Sequence, residues 1–149
     1  MSEASEQERI WPEVLTRVQP LISDLTEFFW KGGKDGVLRM LACEACGMII
    51  HPPSPVCPRC LSRSVAPREL SGKGTVYTYT VNYQEWVPGQ EPYSVAIVSL
   101  AEDESVRLTT NIVWCDPEDV RIGMDVEVQF VEWEELYLPC FRPARESGA

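Results

Sequence analysis

Four of the six cysteines fall into two C-x-x-C pairs, Cys43-Glu44-Ala45-Cys46-Gly47 and Cys57-Pro58-Arg59-Cys60, with ten residues between the pairs. Two residues between cysteines let one tight turn present both thiolates and aim backbone N–H groups at the sulfurs. Gly47 and Pro58 favour such turns. Zinc(II) takes four soft or borderline ligands in a tetrahedron, with Zn–S about 2.3 Å. The expectation is one zinc per chain on Cys43, Cys46, Cys57 and Cys60. Four thiolates leave no open position, so the site would be structural and not catalytic. Two disulfides or unlinked thiols are the alternative reading, and the pairing rule favours metal.

The remaining reactive side chains do not assemble into a catalytic set. His51 is the sole histidine and sits among prolines in Ile50-His51-Pro52-Pro53. It could be a fifth ligand candidate, but four cysteines already fill a site, so it reads as a loop residue. No base is placed near a nucleophile. Glu132, Glu134 and Glu135 flank Trp133 and read as a solvated acidic face. Gly72-Lys73-Gly74 is too short for a phosphate loop. Cys115 and Cys140 lie at strand ends without a C-x-x-C partner and read as partly buried thiols. No catalytic residues of its own are expected of this chain.

The chain has 149 residues and a net charge of −10. No apolar run reaches 18 residues, so no membrane span is expected. Met1-Ser2-Glu3-Ala4-Ser5-Glu6 is polar and acidic, unlike a signal peptide. A reducing cytoplasm is therefore the expected compartment, where paired cysteines favour metal over disulfides. Residues 1–74 hold 9 acidic and 9 basic side chains, whereas residues 75–149 hold 14 and 4, so the second half carries the whole −10.

The elements that must position the cysteines follow from periodicity. Residues 1–10 read as an unstructured tail. Pro12 suits a first helical turn, and Leu15, Val18, Ile22, Leu25 and Phe29 recur at three- and four-residue steps. Pro20 predicts a kink or two short helices over 12–30. Gly32-Gly33 ends a segment spanning 11–36. The apolar stripe would bury against the chain's own barrel or against another protein. Residues 37–71 read as a zinc ribbon, with strands leading into the first cysteine pair and out of the second. Residues 72–145 carry five strand patterns: Thr75–Tyr83, Tyr93–Leu100, Val106–Trp114, Asp125–Trp133 and Leu136–Pro143. A short helical turn is expected at Asp116–Asp119. Residues 146–149 read as a tail. The fold class is mainly β: N-terminal helix or helices, a zinc ribbon, then a five-stranded OB-fold barrel.

An OB barrel suggests single-stranded nucleic acid first, bound by stacked aromatics and a positive groove. Tyr77, Tyr79, Tyr83, Trp86 and Tyr93 could stack. The positive groove is lacking: an acidic barrel repels the phosphate backbone that supplies most of the affinity.

This order of parts resembles the OB-fold/rubredoxin-like zinc-ribbon family associated with acyl-CoA enzymes. The matching residues are Phe29-Trp30, Leu38-Arg39, Cys43-Glu44-Ala45-Cys46-Gly47, Pro52-Pro53, Cys57-Pro58-Arg59-Cys60, Gly72-Lys73-Gly74-Thr75-Val76, Tyr79-Thr80-Val81, Pro92-Tyr93, Ile122-Gly123-Met124-Asp125-Val126 and Phe141-Arg142-Pro143. The turn Ala101-Glu102-Asp103-Glu104-Ser105 departs from the Glu-Gly type usual there. The resemblance implies a non-catalytic accessory subunit of a thiolase-like or lipid-transfer-protein-type aldolase acting on acyl-CoA thioesters, with steroid side-chain degradation among the family's roles. A scaffold between a thiolase and a synthase is a second family role. Trp11, Phe28 and Trp30 are candidate partner anchors. A direct acyl-CoA-binding module is the alternative, for which Arg39, Arg59, Arg63 and Lys73 would supply the phosphate contacts.

Overall fold

The structure is a computed structural model and describes residues 18–145. Trp11, the helix expected over 12–17 and the tails expected at 1–10 and 146–149 lie outside the described residues. Helix α1 is short, Glu27–Lys31, and runs into a 3-10 turn at Gly32–Asp35 that closes on Gly36 in the left-handed region (φ 78°). Of the helical stretch expected over 12–30, the described part carries no regular secondary structure at 18–23, a turn at 24–26 and the helix at Glu27–Lys31. Pro20 has no N–H to give a helix. The Thr26 hydroxyl accepts from Ser23 N–H at 3.0 Å, so side chains there take up backbone groups that a helix would use. Of the described stripe residues, Val18 is 95% exposed, Ile22 is half-buried, Leu25 packs on the cluster under the cysteines and Phe29 is buried in the main core.

The ribbon is a three-stranded antiparallel sheet in the order β2-β1-β3: β1 Arg39–Cys43, β2 Ile49–Ile50 and β3 Val65–Glu69. The second sheet holds β4 Lys73–Asn82, β5 Tyr93–Leu100, β6 Asp103–Thr110, β7 Asp125–Trp133 and β8 Leu136–Pro143, in the order β6-β5-β4-β7-β8. It curls until its two edges meet. Ile112 pairs in parallel with Phe141, Val113 N–H donates to Phe141 O at 2.7 Å, and Phe141 N–H donates to Asn111 O at 3.0 Å. This is the OB arrangement, a five-stranded barrel. A second 3-10 turn at Pro117–Asp119 is capped by Asp116, which accepts from Glu118 N–H at 3.0 Å.

Alternation decides which side chains enter the barrel. Along β5, Ala96, Val98 and Leu100 point inward, and Val106 and Leu108 do so on β6. The main core also contains Leu38, Met40, Ile49 and Leu70 from the ribbon region, so ribbon and barrel share one apolar interior. A second cluster of Val113, Val131, Trp133, Leu138 and Cys140 lies apart from it, and a third of Leu41, Cys43, Ile50 and Cys57 sits under the cysteines.

Helix α1 joins all three. Phe29 is buried in the main core, Trp30 packs on the main and second clusters, and Phe28 packs on the main core and the cysteine cluster. The rings of Phe29 and Trp30 meet edge to face at 4.9 Å. Gly33 follows for a steric reason: a Cβ there would lie 2.4 Å from the ring of Phe130. Among the described residues, no helix is long and apolar enough to cross a membrane.

Candidate metal centre and barrel cleft

The two C-x-x-C turns are built alike. Gly47 N–H donates to Cys43 O and Leu61 N–H to Cys57 O, each at 2.9 Å, and Gly47 and Leu61 both take positive φ, 77° and 63°. Cys43 at the end of β1 and Cys57 are buried, whereas Cys46 and Cys60 are exposed. The four sulfurs lie within 4.8 Å of one another. The closest approaches run between turns, Cys43 to Cys60 at 3.5 Å and Cys46 to Cys57 at 3.6 Å. A tetrahedral zinc thiolate site requires sulfurs about 3.8 Å apart, so the cluster has the size and ligand chemistry for such an ion.

Backbone donors favour thiolate at the two buried sulfurs. The Cys43 thiol is held down to about 6, first by the N–H of Cys46 and with help from that of Ala45, against the effect of burial. The N–H of Cys60 does the same for Cys57, with Arg59 N–H adding to it. Cys60 is pushed up to about 11: Ser62 N–H favours its thiolate, but the sulfur of Cys43, burial and the other two sulfurs outweigh it. A bound dication reverses that repulsion by holding every ligand as thiolate.

His51 is not part of the cluster. Its ring packs on Phe29 at 5.6 Å, and burial pushes its pKa below the usual value. Arg39 is committed to Asp35 at 2.6 Å, Glu69 at 2.9 Å and Gly32 O at 3.0 Å. Its guanidinium, first among the causes, and the Val37 N–H hold Asp35 down to about 2. Arg59 and Arg63 are exposed on and just after the second cysteine turn, and Lys73 is exposed at the start of β4. None of these three has an ion-pair partner within 4.0 Å among the described residues. Cys115 is half-buried, and burial pushes its thiol up, with Asp119 and Asp116 adding to the shift.

The aromatics divide. Tyr77 lies under the guanidinium of Arg107 at 3.8 Å, and Tyr83 donates to Glu118. Trp86 and Tyr93 instead meet Trp30, Trp133, Leu108 and Leu138 around an open cleft of about 530 Å³. In the sequence, Trp86 and Tyr93 stand with the other stacking candidates, and Trp133 stands as a hairpin residue between glutamates. The signal that separates them is topological: loop β4–β5 and turn β7–β8 meet at one end of an OB barrel.

Two family profiles match the chain in sequence order, the ChsH2 rubredoxin-like zinc ribbon domain over residues 30–66 and the ChsH2 C-terminal OB-fold domain over residues 67–131. The chain is 39% identical over 142 residues to a probable enoyl-CoA hydratase alpha subunit of Thermomonospora curvata, covering 94% of this chain and 44% of that protein. It is 33% identical to the 3-oxo-4,17-pregnadiene-20-carboxyl-CoA hydratase alpha subunit of Mycobacterium tuberculosis, covering 89% of this chain and 41% of that one. The chain thus spans less than half the length of these two relatives. A DUF35 domain-containing scaffold protein of Methanothermobacter thermautotrophicus is 37% identical, covering 71% of this chain and 72% of its own. Among solved structures, a chain of an Ltp2–ChsH2(DUF35) aldolase superposes with a TM-score of 0.76 at 40% identity, over 85% of this chain and all of that one. With both modules matched in order and the cysteines drawn together as a zinc ribbon requires, the chain belongs to the DUF35 family, in its ChsH2-type form of a rubredoxin-like zinc ribbon followed by an OB-fold.

Proposed function

We propose that this chain is a non-catalytic accessory subunit that binds and supports a thiolase-like, lipid-transfer-protein-type aldolase acting on acyl-CoA thioesters. The observation that carries this reading is the likeness, at 40% identity over 85% of the chain, to the subunit of a solved Ltp2–ChsH2(DUF35) aldolase. The steroid substrate in the printed name of the Mycobacterium tuberculosis relative supports a steroid-derived acyl group. The scaffold role printed for the archaeal relative supports an organising task. In this reading Cys43, Cys46, Cys57 and Cys60 hold one structural zinc. The ion's contribution is to fix the two turns, and through them β1 and the shared core.

Trp11, Phe28 and Trp30 are the proposed anchors toward the partner. Phe28 and Trp30 already pack on the chain's own cores, so Trp11→Ala is the cleaner variant. The test is co-expression with an Ltp2-type aldolase. The partner is expected to co-purify with the intact chain and to be recovered several-fold less with Trp11→Ala, compared at equal zinc content. An aldolase that neither co-purifies with this chain nor depends on it for activity would overturn the reading.

A further inference from the structure

OB barrels bind their ligands on the face of the second and third strands, between the loop that joins the first two strands and the loop that joins the last two. Here those parts are β5 and β6, the loop after β4 that carries Trp86, and the turn after β7 that begins beyond Trp133. The cleft described above opens at that place, and its volume of about 530 Å³ is of the size that takes small ligands. None of the described residues lining it is charged, in a protein of which 24% is Asp, Glu, Lys or Arg.

Several of the polar groups that reach the cleft are engaged with the protein. Thr110 Oγ1 donates to Pro139 O at 2.8 Å, and Asn111 Nδ2 donates to Ser94 O at 2.6 Å. Gln90 Oε1 accepts from Trp86 N–H at 3.1 Å. The Trp86 indole N–H is itself held by Asn82 Oδ1 at 3.2 Å, and Gln90 N–H donates to Val87 O at 3.0 Å. These bonds fix the loop, yet they leave the Trp86 ring 71% exposed. An indole that is oriented by hydrogen bonds and left bare on its apolar face is prepared for a contact.

We infer that the barrel retains the ligand face of its fold and uses it for the uncharged, apolar body of a small molecule, a fused ring or an alkyl chain. Trp86, Trp30 and Trp133 form the walls. A nucleic acid is excluded by the absence of a cation from the described lining. The inference involves none of Arg39, Arg59, Arg63 and Lys73, and it stands whether or not the chain pairs with an aldolase.

Tryptophan emission of the full zinc-loaded chain is followed during titration with progesterone, an uncharged fused ring, and with decanol, an uncharged chain. The expected result is a saturable change with at least one probe. It should be weakened ten-fold or more by Trp86→Ala and by Thr109→Lys, which puts an ammonium on the cleft wall. Both side chains are exposed, so both variants should keep the parent melting temperature and zinc content. No saturable change with either probe up to its solubility limit overturns the inference, as does binding that neither substitution alters. If no probe binds and Trp86→Ala instead abolishes co-purification of an aldolase, the cleft is a protein contact and the small-molecule inference is wrong. A failed pull-down beside a successful titration removes the accessory-subunit reading and leaves this one intact.

Discussion

At the scale of single residues, two positions carry consequences beyond packing. Leu61 takes φ 63° at the place that Gly47 fills in the other cysteine turn, and its side chain is 73% exposed. A non-glycine residue in that region costs about 1–2 kcal/mol, and little is buried in return. Leu61→Gly should therefore stabilise the protein, by about 1 kcal/mol, as a higher midpoint in urea unfolding at constant zinc. His51 is pressed on Phe29, and burial lowers its pKa below the unfolded value near 6.5. Between that lowered value and 6.5 the unfolded chain binds the proton and the folded chain does not. Stability therefore falls as pH drops below 6.5. His51→Phe should remove this part of the pH dependence, so the difference in melting temperature between the two proteins should widen in favour of the variant from pH 7.5 to 5. A constant difference across that range would show that His51 titrates alike in both states.

At the scale of elements, an N-terminal helix and most strands were legible, whereas β6, Asp103–Thr110, starts inside the acidic turn expected at Ala101–Ser105. Tyr93–Leu100, Asp125–Trp133 and Leu136–Pro143 are strands over the ranges that their alternation predicts. A period of two leaves few other ways to bury one face of the chain. The N-terminal stripe was legible in part, because three- and four-residue spacing shows which residues could share a face, not whether anything covers it: Leu25 and Phe29 are packed and Val18 is not. Val18 faces solvent, and among the described residues the α-helical stretch is Glu27–Lys31, where three aromatics find seats. The cysteine spacing was legible because metal ligation imposes it. The cleft was not, because Trp86 and Trp133 lie 47 positions apart and only barrel closure brings them together. The importance of α1 can be measured. Phe29→Ala should cost about 3–5 kcal/mol, a large share of the 5–15 kcal/mol that typically holds a domain. A loss under 1 kcal/mol in chemical denaturation would show that the helix is not seated in the main core.

At the scale of the whole molecule, ribbon and barrel are not separable modules, because Leu38, Met40, Ile49 and Leu70 share an interior with Val98, Val126 and Phe141. Metal loss should then reach the barrel. Chelation at neutral pH should lower the transition seen by far-ultraviolet dichroism and the one seen by tryptophan emission together, as a single step. Cys57→Ser, at a site with no exposed surface, should copy the effect and lose the zinc. Two separate transitions, with the barrel's unmoved, would mean that the ribbon is only an appendage.

The three consecutive aromatics of α1 have a further consequence. Side chains leave a helix about 100° apart, and Phe28, Phe29 and Trp30 use that angle to reach different sets of clusters. The three positions act as a key with a fixed bitting. An inserted or deleted residue among them would put every ring out of phase at once, so gaps in an alignment of such chains should avoid this stretch.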